Sequence, residues 1–167
     1  MQPELESILI GTLGLDVLLA LAVYQSLTRM PQWQVNQKRL ISVTGLAVGC
    51  HIIHSLEEWH FEFYSRFPAL LGLAPWPESF FVTFNSLWVV AWCLSIPALS
   101  NKISLAIVPI WFLALASVAN GLFHPIVALL QLGYFPGLVT ALPVGVVGAY
   151  LLVALLRFTT SKQPAPP

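Results

Sequence analysis

Apolar residues run in long blocks along this chain, and polar residues interrupt them at helical rather than alternating intervals. Five blocks reach the roughly 20 residues needed to cross a bilayer as a helix. They are Ile8–Leu27, Leu40–His60, Phe80–Leu99, Ile103–His124 and Pro136–Phe158. The stretch between Phe61 and Ser79 carries Pro68, Pro75 and Pro77 and is too broken to span. Its Phe67, Leu70, Leu71, Leu73 and Trp76 predict an interfacial or re-entrant loop. The pattern therefore predicts an all-α, multi-pass membrane bundle of five helices, forming one domain over residues 1–160 with a short disordered tail at 161–167. No internal repeat is visible.

Composition agrees with the pattern. Of 167 residues, 57% are hydrophobic and 8% charged, against about 25% charged in soluble domains. Seven basic residues balance seven acidic ones, which argues against a nucleic-acid partner. Cys50 and Cys93 lie in separate apolar blocks without a paired-thiol motif and read as small packing residues. The N-terminus lacks the basic region and cleavage site of a signal peptide, so the first block reads as a retained helix.

Charge also sets the expected orientation. Arg29, Lys38, Arg39, Lys102, Arg157 and Lys162 fall on one side if the N-terminus is outside and the C-terminus inside. Arg66 alone falls on the other side, with Glu4, Glu6, Glu62 and Glu78. In that topology the polar groups of all five helices share the outer half or its border: Asp16, His51, His54, Glu57, Glu58, Asn85, Asn120, His124 and Thr140. A bacterial inner membrane or its equivalent fits such a protein.

An ionisable residue at a helix centre costs about 2.5–3.5 kcal/mol on insertion scales, so polar clusters in such segments point to function. His51, His54 and Glu58 follow i, i+3, i+7 spacing and share one face of the second helix, with Glu57 about 100° away. Gly45 and Gly49 lie on the opposite face and predict close contact with a neighbouring helix. Asn120 and His124 align on the fourth helix. Pro125 follows directly and predicts an end or kink, with His124 close to water. Asn85, Trp88 and Trp92 make a further stripe, walling a cavity or facing lipid. Asp16, a lone carboxylate in mid-helix, calls for a partner, and a histidine from another helix is a natural one.

Two imidazoles and a carboxylate suit Zn²⁺, Fe²⁺ or Mn²⁺, with His54, Glu58 and His124 as ligands. Glu57 or Asp16 would then be a further ligand, a supporting group or a general base, and Asn120 would orient substrate. Without metal, His54 and Glu58 form an acid–base pair or proton relay. A hydrogen-bonded clasp between helices is the third reading of the same residues.

In series, His54-x-x-Glu57-Glu58, Asn120-x-x-x-His124 and Tyr134-x-Pro136-Gly137-x-x-Thr140 resemble the integral membrane family named for its His-x-x-Glu-Glu motif. The resemblance implies a multi-helix membrane protein whose polar motifs are catalytic, but no particular substrate. Pro136 and Gly137 would start the fifth helix, where backbone N–H groups near Thr140 can face an anion or substrate oxygen. The leading expectation is a membrane enzyme acting on an apolar or amphipathic lipid, by metal-assisted hydrolysis or acid–base isomerisation. A proton- or metal-coupled transporter, or an assembly subunit that binds a pigment, are the alternatives. Homo-oligomerisation is compatible with each.

Overall fold

The computed structural model describes residues 3–34 and 36–161. Helix α1 (Pro3–Thr28) leads into a short strand β1 (Arg29–Pro31), then α2 (Gln37–His60), a two-turn helix α3 (Phe63–Leu70), α4 (Glu78–Ser100), α5 (Ile107–Gln131), α6 (Leu138–Phe158) and strand β2 (Thr159–Ser161). A single 3-10 turn, Ser104–Ala106, precedes α5. Five of these helices are long and apolar enough to cross a membrane, and the protein is an all-α multi-pass bundle. Lys162 and the proposed tail from 162 lie outside the described residues. Ser161 itself belongs to β2 rather than to a tail.

The bundle is built around α5. Apart from Ser117, Asn120 and His124 on the side of the cluster, this helix is almost wholly apolar, as a segment largely surrounded by protein requires, and it buries Ile110, Trp111, Phe112, Leu113, Ala114 and Ala116. Its other neighbours fan out from it: α1 and α6 pack on it directly, α2 packs on α6 and α4. Leu99, Leu155 and Phe158 complete the buried core at the end away from the polar cluster. Outward-facing Leu13, Val17, Leu87, Leu94, Leu142 and Val146 form the lipid-facing shell.

The closest approach of two backbones is between α5 and α6. A Cβ built on Gly121 would lie 2.5 Å from Gly145 Cα, and one on Gly148 would lie 2.5 Å from Ser117 Cβ. Small residues let the helices meet here, where dispersion and not hydrophobicity holds membrane helices together. The expected contact at Gly45 and Gly49 is corrected: both are exposed and nothing lies within 4 Å of a Cβ placed on either. The core-facing stripe of α2 carries His51 and His54, so the opposite, glycine face points away from the bundle.

Two further departures concern helix ends. α5 does not stop at His124 but continues through Pro125 to Gln131. Proline is tolerated inside a membrane helix when neighbouring segments restore the lost interactions, and α6 lies against this very stretch through Gly121 and Gly145. The loop after α2 is partly helical, as α3, and folds its aromatic side chains into the bundle. Phe63 stacks on Phe67 at 5.1 Å, and Phe67 meets Trp76 edge-on at 5.4 Å. At the other end of the bundle β1 and β2 pair antiparallel, with Met30 opposite Thr160. This ribbon ties the end of α1 to the end of α6.

Candidate metal centre

The spacing on α2 puts His51, His54 and Glu58 on the buried face, and α5 brings His124 to meet them. His54 and His124 are fully buried and Glu58 is 6% exposed. His124 is therefore not near water as expected. The continuation of α5 carries it inside, and the rings of Phe63, Phe123 and Phe135 pack around it at 5.6, 5.3 and 5.7 Å.

Hydrogen-bond partners assign the protons on both imidazoles. His124 Nδ1 lies 2.5 Å from the Pro136 carbonyl oxygen, which can only accept, so Nδ1 carries the proton. His54 Nδ1 lies 2.7 Å from Thr140 Oγ1. The Thr140 hydroxyl lies 2.5 Å from Glu57 Oε2 and donates to it, so its oxygen accepts from His54 Nδ1–H. With Nδ1 protonated, each ring in its neutral form presents an Nε2 lone pair. Both Nε2 atoms are buried without a hydrogen-bond partner. They face the same oxygen, Glu58 Oε1, at 3.6 Å from His54 and 3.3 Å from His124.

Three electron-rich atoms facing one another need a cation or a proton between them. A charge-assisted N–H···O bond runs about 2.7–2.9 Å, shorter than either contact. The edge of a tetrahedron with metal–ligand bonds of about 2.0 Å is about 3.3 Å. The His54, Glu58 and His124 donor atoms lie within 4.8 Å of one another and could hold a metal ion.

Glu57 takes a separate place. Tyr134 Oη donates to it at 2.7 Å, Val139 N at 3.0 Å, and Thr140 N and Oγ1 at 2.8 and 2.5 Å. The free N–H groups at the start of α6 thus hold an anion, as the Pro-Gly turn implied, but the anion is the protein's own carboxylate. Desolvation, and then donation to Glu57, push the Tyr134 phenol above its ordinary range, so it stays a donor. Gly137 (φ 89°) makes the turn into α6. A Cβ there would lie 2.6 Å from His124 Cε1 and 2.9 Å from His54 Cε1. Both the backbone conformation and the space call for glycine.

His51 is buried beside the cluster, edge-on to Trp92 at 4.7 Å, with Nδ1 3.5 Å from Ser117 Oγ. Asn85 bridges α2 and α4, accepting from Ser55 Oγ at 3.2 Å and donating to the Phe81 carbonyl at 3.0 Å. Asp16 does not join the site. It is exposed on α1, and among the described residues it forms no ion pair with a histidine.

A half-open cavity of about 490 Å³ adjoins the centre. Glu58, His51, Asn85, Asn120 and Thr12 are its polar lining. Trp88 and Trp92 wall it, which decides between the two readings of their stripe. Phe63, Phe67 and Trp76 close it from the α3 side, a contribution that helical spacing does not reveal because these residues follow no membrane-length pattern. Phe135 and the Pro136 carbonyl are likewise invisible to spacing.

Comparison with known proteins returns no match: no family model, no curated protein and no solved structure resembles the chain closely enough to report. The likeness to the His-x-x-Glu-Glu family rests on the three motifs alone.

Proposed function

We propose that this protein is a membrane-embedded, metal-dependent enzyme of hydrolase type, acting on a lipid-like substrate. The observation that carries the reading is the convergence of the His54 and His124 Nε2 atoms on Glu58 at 3.6 and 3.3 Å, with neither nitrogen otherwise bonded. His54, His124 and Glu58 would hold a divalent ion, Zn²⁺, Fe²⁺ or Mn²⁺. Such an ion supplies Lewis-acid polarisation of a substrate oxygen and activation of water.

The chain's own groups do the rest. The Pro136 carbonyl and Thr140 fix the tautomers that aim both lone pairs inward, the outer partners that metal-binding histidines commonly need. Glu57 anchors Thr140 and the start of α6, so its role is to position His54 rather than to move a proton. Glu58 and His51 face the cavity and would meet the reacting end of a substrate there, with Asn120 orienting it. The aromatic rings over His124 keep bulk water from the centre and strengthen its electrostatics.

The apolar core beyond His51, including Trp111, Leu113 and Leu155, favours an enzyme over a carrier with a through-path. A single domain with the centre near the α2–α6 end accords with a substrate drawn from one leaflet. In the proposed orientation that leaflet is the outer one.

Metal analysis of protein purified in mild detergent without chelator tests the proposal. Near-stoichiometric Zn, Fe or Mn is expected, falling below one-tenth in folded His54→Ala, His124→Ala and Glu58→Gln variants. Protein that stays metal-free after supplementation would sink the metal centre and leave the shared-proton site.

A further inference from the structure

We infer that the cavity beside Glu58 binds an unsaturated, isoprenoid-type amphiphile, which enters from the bilayer between α1 and α4 and sets its polar end against Asn120. This names the substrate class of the enzyme proposed above and rests on that reading for its chemistry, though not for its binding.

The argument begins with the competing solvent. A saturated acyl chain gains nothing hydrophobic by leaving hydrocarbon for an apolar cavity, because the bilayer interior is equally apolar. A membrane cavity must therefore select its ligand by interactions that lipid chains lack. Here those are aromatic. Phe67, Trp76, Phe80, Phe84, Trp88 and Phe112 line the cavity from α3, its following loop, α4 and α5. They are held against one another, Trp88 on Phe112 at 4.1 Å and Trp76 on Phe80 at 5.8 Å, so the faces are fixed before a ligand arrives. Aromatic faces and edges favour π-bearing partners beyond area burial. A chain of isolated double bonds or a small ring offers such groups; a saturated chain does not.

The polar end is placed by Asn120. Its amide lines the cavity, and among the described residues no protein group bonds to its side chain. Asn85, by contrast, spends its oxygen on Ser55 and a donor on Phe81. An amide with nothing to bond in an apolar site costs free energy, so a hydroxyl or carbonyl on the ligand is its natural partner. Asn120 sits one helical turn before His124, which sets that polar group near the centre.

The route in follows from what does not pack. α1 rests on α5, and α4 on α2 and α5, but no packed seam joins α1 to α4, although both line the cavity. Two glycines on α1 keep this side shallow. Trp76 lies where a Gly11 side chain would go, while a Cβ on Gly14 would meet nothing within 4 Å. Gly14 lines the cavity, and bulk can be added at this part of its wall without striking protein.

The test uses the full-length protein in lipid nanodiscs and a diazirine-bearing farnesol as photoprobe. Cross-links are expected within Ile10–Leu18 and Phe80–Trp92. Unlabelled farnesol should displace the probe at about one-tenth the concentration needed for pentadecanol, the saturated alcohol of equal carbon number. Gly14→Trp should lower cross-linking at least about fivefold while retaining metal, with Gly14→Leu as the milder substitution if the larger one impairs folding. Asn120→Ala should remove the advantage of farnesol over the hydrocarbon farnesene. Equal displacement by the two alcohols, or undiminished cross-linking in the folded Gly14 variants, would overturn the inference. Cross-linking that survives in a metal-free Glu58→Gln variant supports the binding site by itself. Protein that holds metal but shows no displaceable cross-link keeps the metal centre and defeats the ligand.

Discussion

Gly137 and Thr140 show how single residues make this centre. A methyl group at Gly137 would strike both imidazoles and add the strain of a left-handed backbone, together about 1–3 kcal/mol. Gly137→Ala is expected to lower the melting temperature and abolish metal binding, read by thermal unfolding and metal analysis on the same preparation. Thr140→Val keeps the shape but removes both the acceptor for His54 and a donor to Glu57. It should weaken metal affinity about 10–100-fold, measured by chelator competition, and Thr140→Ser should largely restore it. At this scale the sequence was partly readable. Periodicity aligned His51, His54 and Glu58, and the depth of each helix brought in His124. It could not see the Pro136 carbonyl, a backbone group with no residue signature. It also gave Asp16 a partner that the orientation of α1 denies it, since one helix's polar residue carries no record of which way that helix faces.

Between elements, the α5–α6 seam is where side-chain size matters most. Gly145→Leu would force apart backbones that now touch through Gly121, and overpacking of this kind costs about 1–3 kcal/mol or more. Unfolding of the detergent-solubilised variant should occur at clearly lower temperature. Gly45→Ala, on the exposed face of α2, is expected to change stability by no more than about 0.5 kcal/mol. The membrane-length blocks located all five long helices because about 20 apolar residues have few other soluble or membrane fates. The ends were harder. Pro125 reads as a stop in isolation, yet α5 passes through it because α6 lies alongside. α3 was hidden because a two-turn helix rich in aromatic residues and proline looks, in one dimension, like loop.

At the scale of the whole molecule, most of the basic charge lies at the end opposite the polar cluster. Arg29, Arg39, Lys102 and Arg157 sit where α1, α4 and α6 end and α2 begins, while the candidate metal centre lies toward the other end. The expected orientation follows: a cysteine placed at Glu4 should react with an impermeant reagent from outside intact cells, and one at Lys102 should react only after permeabilisation. Labelling in the reverse pattern would turn the bundle over and move the centre to the inner leaflet, without altering its geometry. The β1–β2 ribbon adds a temporal order to this architecture. It pairs Arg29–Pro31 with Thr159–Ser161, so the wall that α1 contributes to the cavity cannot be clasped until the last helix has been synthesised and inserted.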